Sequence, residues 1–149
     1  PMFVRWTGTI PAGSQNDVLS AFWDVMPTIC DLAGAPIPEQ TDGISFAPTL
    51  LGKTQEKTHE FLYWEFNERS ERTKPRHEYK QAVVFDNWKV INYIDADRIE
   101  VYQLDKDIEE VNDVAQDHPE IVKKALKYME ESHLQNPIFP MTKEERNIH

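Results

Sequence analysis

The sequence predicts an α/β chain, α+β in its detail. A short strand–helix unit comes first, then a four-stranded antiparallel sheet packed with a C-terminal helix. Three observations predict it. Four β-prone runs lie between Phe61 and Leu104 with turn residues between them. An amphipathic stripe recurs at helical spacing after Asp117. A shorter helical pattern runs from Asp24 and stops at Gly34, with Pro36 and Pro38 beyond it.

Met2-Phe3-Val4-Arg5-Trp6 reads as a short strand, broken into a turn by Gly8, Pro11 and Gly13. Asp24 is placed to cap the next helix, and Pro27 is tolerable in its first turn. Val25, Met26, Ile29, Leu32 and Ala33 then share one face, expected to pack on a sheet. The stretch from Pro36 to Lys57 is rich in Pro, Gly, Thr and Ser and reads as connecting structure. A subdomain boundary is expected in the polar segment Lys53–Thr58. This divides the chain into 1–57, 58–140 and a polar, frayed tail at 141–149.

Phe61-Leu62-Tyr63-Trp64-Glu65-Phe66 is the first strand of the sheet. Asn67 to Lys80 is highly charged, lacks apolar periodicity and is expected to be a loop. Gln81 to Phe85 is the second strand, and Asp86-Asn87 is a tight-turn signal. Trp88 to Ile94 is the third strand. It sets Trp88, Val90, Asn92 and Ile94 on one face, and Lys89, Ile91 and Tyr93 on the other. Ile99 to Leu104 is the fourth, close enough to the third for an antiparallel meander. Asp117 is placed to cap the final helix, with Pro119 early and Glu120 at capping-box spacing. Its buried stripe is Ile121, Val122, Ala125, Leu126 and Met129, and Asn136-Pro137 ends it.

Composition limits the function. Of 149 residues 40% are apolar and 28% charged, which is globular rather than disordered. A formal net charge of −10 opposes binding to nucleic acid or an anionic membrane surface. No apolar run approaches the ~20 residues that cross a bilayer. Pro1 opens the chain in mid-pattern, so the sequence reads as an excised piece. Cys30 is the only cysteine, which excludes an internal disulfide and a multi-cysteine metal site. It reads as a small buried helix residue.

The five histidines, His59, His77, His118, His133 and His149, lack metal-ligand spacing. His118 reads as part of a helix start, and His133 as a cation suited to a helix end. Asp105, Asp107, Glu109 and Glu110 lack the spacing of a calcium loop and read as a solvated turn. The one local concentration of positive charge holds Arg69, Arg72, Lys74, Arg76, His77 and Lys80. It reads either as a solvated loop or as a rim for an anionic substrate, since planar guanidinium groups bind two oxygens at once.

Several stretches carry a family resemblance. Phe3 to Gly13 is one, and Asp24 to Gly34, with its Asp-x-x-Pro-Thr start and Ala-Gly end, is another. Tyr63 to Phe66, Gln81 to Val83 and Trp88-Lys89 follow. Glu100 to Asp107, then Glu109 and Asn112-Asp113, close the set. In this order they resemble the final third of sulfatases, from Pro1 to about Pro140. Ile108 stands where that family usually has Pro, Gln103 where Asp is common, and Val84 where Arg is frequent.

The resemblance implies the end of a large α/β catalytic domain in 1–57 and the small C-terminal subdomain in 58–140. It implies a parent hydrolase of sulfate esters that uses formylglycine and Ca²⁺, both upstream of this chain. The maturation motif Cys-x-Pro-Ser-Arg does not occur here, and no catalytic or metal residue carries over. The chain alone is expected to be inactive and to support the catalytic domain, its partner. Trp64, Glu65, Asn67, Arg69, Arg72, Arg76 and His77 are the expected contacts to a sulfated sugar or aryl sulfate. A parent of this kind is expected in the periplasm, outside the cell or in the lysosome. A non-catalytic module for sulfated glycans and a self-associating structural fragment are the alternative readings.

Overall fold

The computed structural model describes residues 2–70 and 76–147. They fall into two compact units, Pro1–Glu60 and Phe61–His149. In the first, a 3₁₀ turn at Phe22–Asp24 runs into α1, Val25–Ala33, and a short helix α2 follows at Ala47–Leu50. Gly34 ends α1 in the left-handed region, at φ 67°, where a side chain would be strained. Its N–H donates to the Asp31 carbonyl, and the next N–H, of Ala35, reaches Cys30. The helix is closed as its sequence predicts.

Two expectations for this unit change. The 2–6 segment forms no strand, and among the described residues its own unit contains no strand to pair with it. The buried side of α1 is Pro27 and Thr28, whereas Met26 and Ile29 are exposed, Ile29 by 60%. Of the apolar stripe of the sequence, Val25 and Leu32 are partly covered within this unit, and Met26, Ile29 and Ala33 are exposed. Phe22, on the preceding turn, is 89% exposed as well.

The second unit is a meander of four antiparallel strands in the order β1-β2-β3-β4. They span Leu62–Ser70, Arg76–Phe85, Trp88–Tyr93 and Arg98–Gln103. Phe85 pairs with Trp88, so Asp86 and Asn87 are a two-residue turn, with Asp86 at φ 49°. Asn67 to Lys80 is not a loop over most of its length. Asn67 pairs with Tyr79, and the ladder continues to Ser70 and Arg76. Backbone pairing extends the hairpin beyond its apolar residues, which is why side-chain periodicity misses it. Residues 71–75 lie outside the described residues.

The register lines up Val83, Val90 and Val101 across three strands. With Phe85 they form the sheet's side of the core, and α3, Pro119–Ser132, brings Ala125, Tyr128 and Met129. Tyr128 stacks on Phe61 at 4.1 Å between centroids and meets Phe85 edge-on at 5.4 Å. Tyr128 is thus a core residue the stripe omitted, and Leu126 is an exposed one it included. His118, not Asp117, holds the N-cap position, and Pro119 opens the helix. The described residues after 140, which are 141–147, are no frayed tail. They form α4, Lys143–Asn147, with Met141 fully buried before it. Among the described residues no helix is long and apolar enough to cross a membrane.

Candidate functional site

Each unit has one polar centre on which several hydrogen bonds converge. In the first it is Asp24, which is fully buried. It does not cap α1 with its side chain. Its Oδ2 accepts the Ala21 N–H at 2.7 Å, and its Oδ1 accepts the Ile44 N–H at 2.8 Å. His59 Nε2 donates to the same Oδ1 at 2.8 Å. Thr28 completes the strap. Its hydroxyl donates to the Asp24 carbonyl at 2.6 Å and accepts the Phe46 N–H at 3.0 Å. The Asp-x-x-Pro-Thr pattern therefore ties the connecting segment to the helix. Gly43 lets that segment pass. A Cβ there would lie 2.3 Å from the Trp23 carbonyl oxygen and 2.8 Å from the Pro27 ring.

In the second unit the polar group is His133, just past the end of α3. Its Nδ1 lies 2.5 Å from Glu65 Oε1, and its Nε2 lies 3.0 Å from Glu145 Oε1. The network continues along the sheet. Tyr63 donates to Glu65, Gln81 donates to the Tyr63 oxygen, and Asn92 donates to Gln81. On the other side Glu145 Oε2 accepts the N–H groups of Met141 and Thr142. Those backbone donors, Thr142 first, outweigh burial and hold the Glu145 carboxyl down at about 2. Burial opposes charge on His133, but its two carboxylate partners prevail and raise its pKa. Burial, followed by the Glu65 contact, pushes the Tyr63 hydroxyl up.

The structure places the sequence-predicted site residues unevenly. Trp64 lies on the sheet face opposite the core cluster and is partly exposed. Glu65 has its carboxylate directed at Tyr63 and His133. Asn67 lies two residues further along β1, and among the described residues its buried Oδ1 has no hydrogen-bond partner. Arg69 and Arg76 with His77 are on the hairpin strands, with side chains outside the described residues. Arg72 and Lys74 lie outside the described residues altogether, and so does His149. Lys80 pairs with Glu78.

Other candidates resolve simply. Cys30 is half-buried, its Sγ 3.9 Å from Met26 Sδ. His118 packs on Trp88 and contacts Glu120. Asp107 accepts the N–H groups of Asn112 and Val111, which lower its pKa, and Glu110 pairs with Lys89. Two of the four acidic side chains of that turn, Asp107 and Glu110, are thus taken by donors of the chain itself. Among the described residues no three His, Cys, Asp or Glu side chains converge as a metal would require. The His133 network was absent from the sequence reading. Glu65 and Glu145 lie 68 and 12 residues from His133, and no linear spacing joins them.

The family model described as N-sulphoglucosamine sulphohydrolase, C-terminal, matches residues 1–135, and the chain belongs to that family. The Δ4,5-hexuronate-2-O-sulfatase of Bacteroides thetaiotaomicron is 36% identical over 95 residues, covering 63% of this chain and 19% of that protein. Human steryl-sulfatase is 43% identical over 65 residues, covering 42% and 11%. A solved 2-O GAG sulfatase superposes with a TM-score of 0.65 at 29% identity, covering 72% of this chain and 23% of the other. The chain thus spans a fifth or less of the length of these two curated relatives.

Proposed function

We propose that this chain supports the catalytic domain of a sulfatase and does not itself hydrolyse sulfate esters. The observation that carries the reading is the family match over residues 1–135 in a sequence whose single cysteine is followed by Asp31-Leu32. That context is not the Cys-x-Pro-Ser-Arg from which a formylglycine is made. The uncovered apolar side chains Phe22, Met26 and Ile29 add support, since exposed large apolar groups in one region suit burial by more protein. In this reading the nucleophile and Ca²⁺ belong to the upstream part of the parent protein, and no step of the chemistry is carried by the residues present here. In the same reading the parent would work in the periplasm, outside the cell or in the lysosome.

The substrate reading is a sulfated sugar, with an aryl or steryl sulfate as the competitor. Relatives named for hexuronate and N-acetylglucosamine sulfates support the first, and steryl-sulfatase supports the second. The β1–β2 hairpin arm is the proposed rim. Arg69, Arg72, Arg76 and His77 would meet sulfate oxygens through charge-assisted hydrogen bonds. Trp64 would stack on a ring face, and Asn67 would meet hydroxyl groups. Glu65 enters only by holding the strand in place through Tyr63 and His133.

Turnover of an aryl sulfate by the purified chain with Ca²⁺ tests the first part, and a rate equal to a heat-killed control is expected. Calorimetry on the intact parent tests the rim. Replacing Arg69, Arg72 and Arg76 together should weaken binding of a sulfated sugar about 10-fold or more while leaving the unsulfated sugar unaffected. Equal loss for both sugars would remove the rim from the proposal. The exposed apolar side chains also favour self-association of the isolated chain, and light scattering showing only monomer would argue against that.

A further inference from the structure

We propose that His133 is a proton-dependent staple. In its doubly protonated form it fastens the 141–147 segment, through Glu145, to strand β1, through Glu65, and loss of the ring proton releases that segment. The geometry requires two donors. Nδ1 faces a Glu65 oxygen at 2.5 Å and Nε2 faces a Glu145 oxygen at 3.0 Å. A neutral imidazole carries one N–H, so one contact would then set lone pair against lone pair. The surrounding network leaves both carboxylates as acceptors. Gln81 donates to the Tyr63 oxygen, so the Tyr63 proton points at Glu65. Two backbone N–H groups point at the second oxygen of Glu145.

The described groups that face the ring come from every neighbouring element. Strand β1 supplies Tyr63 and Glu65, and the last segment supplies Glu145. Strand β2 supplies Gln81, which acts through Tyr63. Arg146, beside Glu145, is held by Asp95 and the Tyr79 ring, and Lys143 by Asp97. Those two contacts are more exposed and do not depend on a histidine, so they slow release without setting its pH. Glu145 is only 6% exposed and Met141 is fully buried beside it, so the staple secures a packed seat.

The sign follows from the ring's proton. Closure favours the protonated ring, so the staple is complete below the ring's ordinary value of 6.5 and weakens as pH rises through its raised value. Within that window the released population should grow by up to roughly tenfold per pH unit.

The test is an NMR titration of the full chain that follows the His133 ring nitrogens and the Met141 methyl together. Two protonated ring nitrogens are expected at about pH 6, with the Met141 methyl leaving its core environment at the same midpoint as ring deprotonation. In the Glu145→Gln variant, which keeps the size of the side chain, the methyl shift should lose its dependence on the ring. A ring that is neutral at about pH 6 would overturn the proposal, as would a methyl that stays in place while the ring loses its proton. The wild-type titration alone decides between these outcomes if the variant fails to fold.

Discussion

Asp24 and His133 solve the same problem in the two halves of the chain, and they do so with different chemistry. Asp24 satisfies two backbone N–H groups and one histidine within a single short unit. His133 joins the end of a helix to a strand 68 residues before it and a segment 12 residues after it. In the first arrangement two of the three donors are backbone N–H groups, which do not titrate, and the third is His59. The second has a titratable group at each of its three positions. A fold can therefore be strapped rigidly in one unit and conditionally in the other, and the sequence motif belongs to the rigid strap.

That contrast can be broken by substitution. Phe85→Ala, in the apolar core beneath α3, should cost about 4 kcal/mol by urea unfolding, more than any change to either polar centre. Asp24→Ala leaves the part-buried amides of Ala21 and Ile44 without their acceptor and should cost about 2.5 kcal/mol. Asp24→Asn should cost less, since one oxygen remains. A loss below about 1 kcal/mol for the alanine variant would show that water replaces the carboxylate and that the strap is not held by it. Gly43→Ala drives a methyl into the Trp23 carbonyl and should cost about 2 kcal/mol. A neutral result there would mean the 41–47 segment can move away from α1.

The pH dependence sharpens the same contrast at smaller amplitude. Glu145→Gln should cost about 1.5 kcal/mol near pH 6 and less once the ring of His133 has lost its proton. In acid the Glu145 carboxyl, held at about 2, contributes stability that is complete above its ordinary value of 4.5 and is lost as pH falls toward 2. Equal destabilisation by Glu145→Gln across the whole range would separate Glu145 from His133.

The sequence carried the strand runs, the Asp86-Asn87 turn and the Gly34 helix end, because each rests on local preference or periodicity. It failed where partners are distant. The charged arm from Asn67 to Lys80 is a strand pair because its backbone found a ladder. Met26 and Ile29 were read as a packing face, and within their own unit Pro27 and Thr28 are buried instead. Asp24 was legible as a helix-start residue, although its true role is to hold a segment 20 residues away. His133 was legible only as a cation near a helix end, since its two carboxylates are assembled by the fold.

Amide hydrogen exchange at Ile44 and Met141 in one sample, followed from about pH 5 to about pH 9 and corrected for intrinsic rates, tests the contrast most directly. Ile44, held by Asp24, should keep its protection throughout, while Met141, held by Glu145, should lose protection as His133 deprotonates. Parallel loss at both amides, or constant protection at Met141, would contradict a rigid strap in one unit and a proton-dependent one in the other.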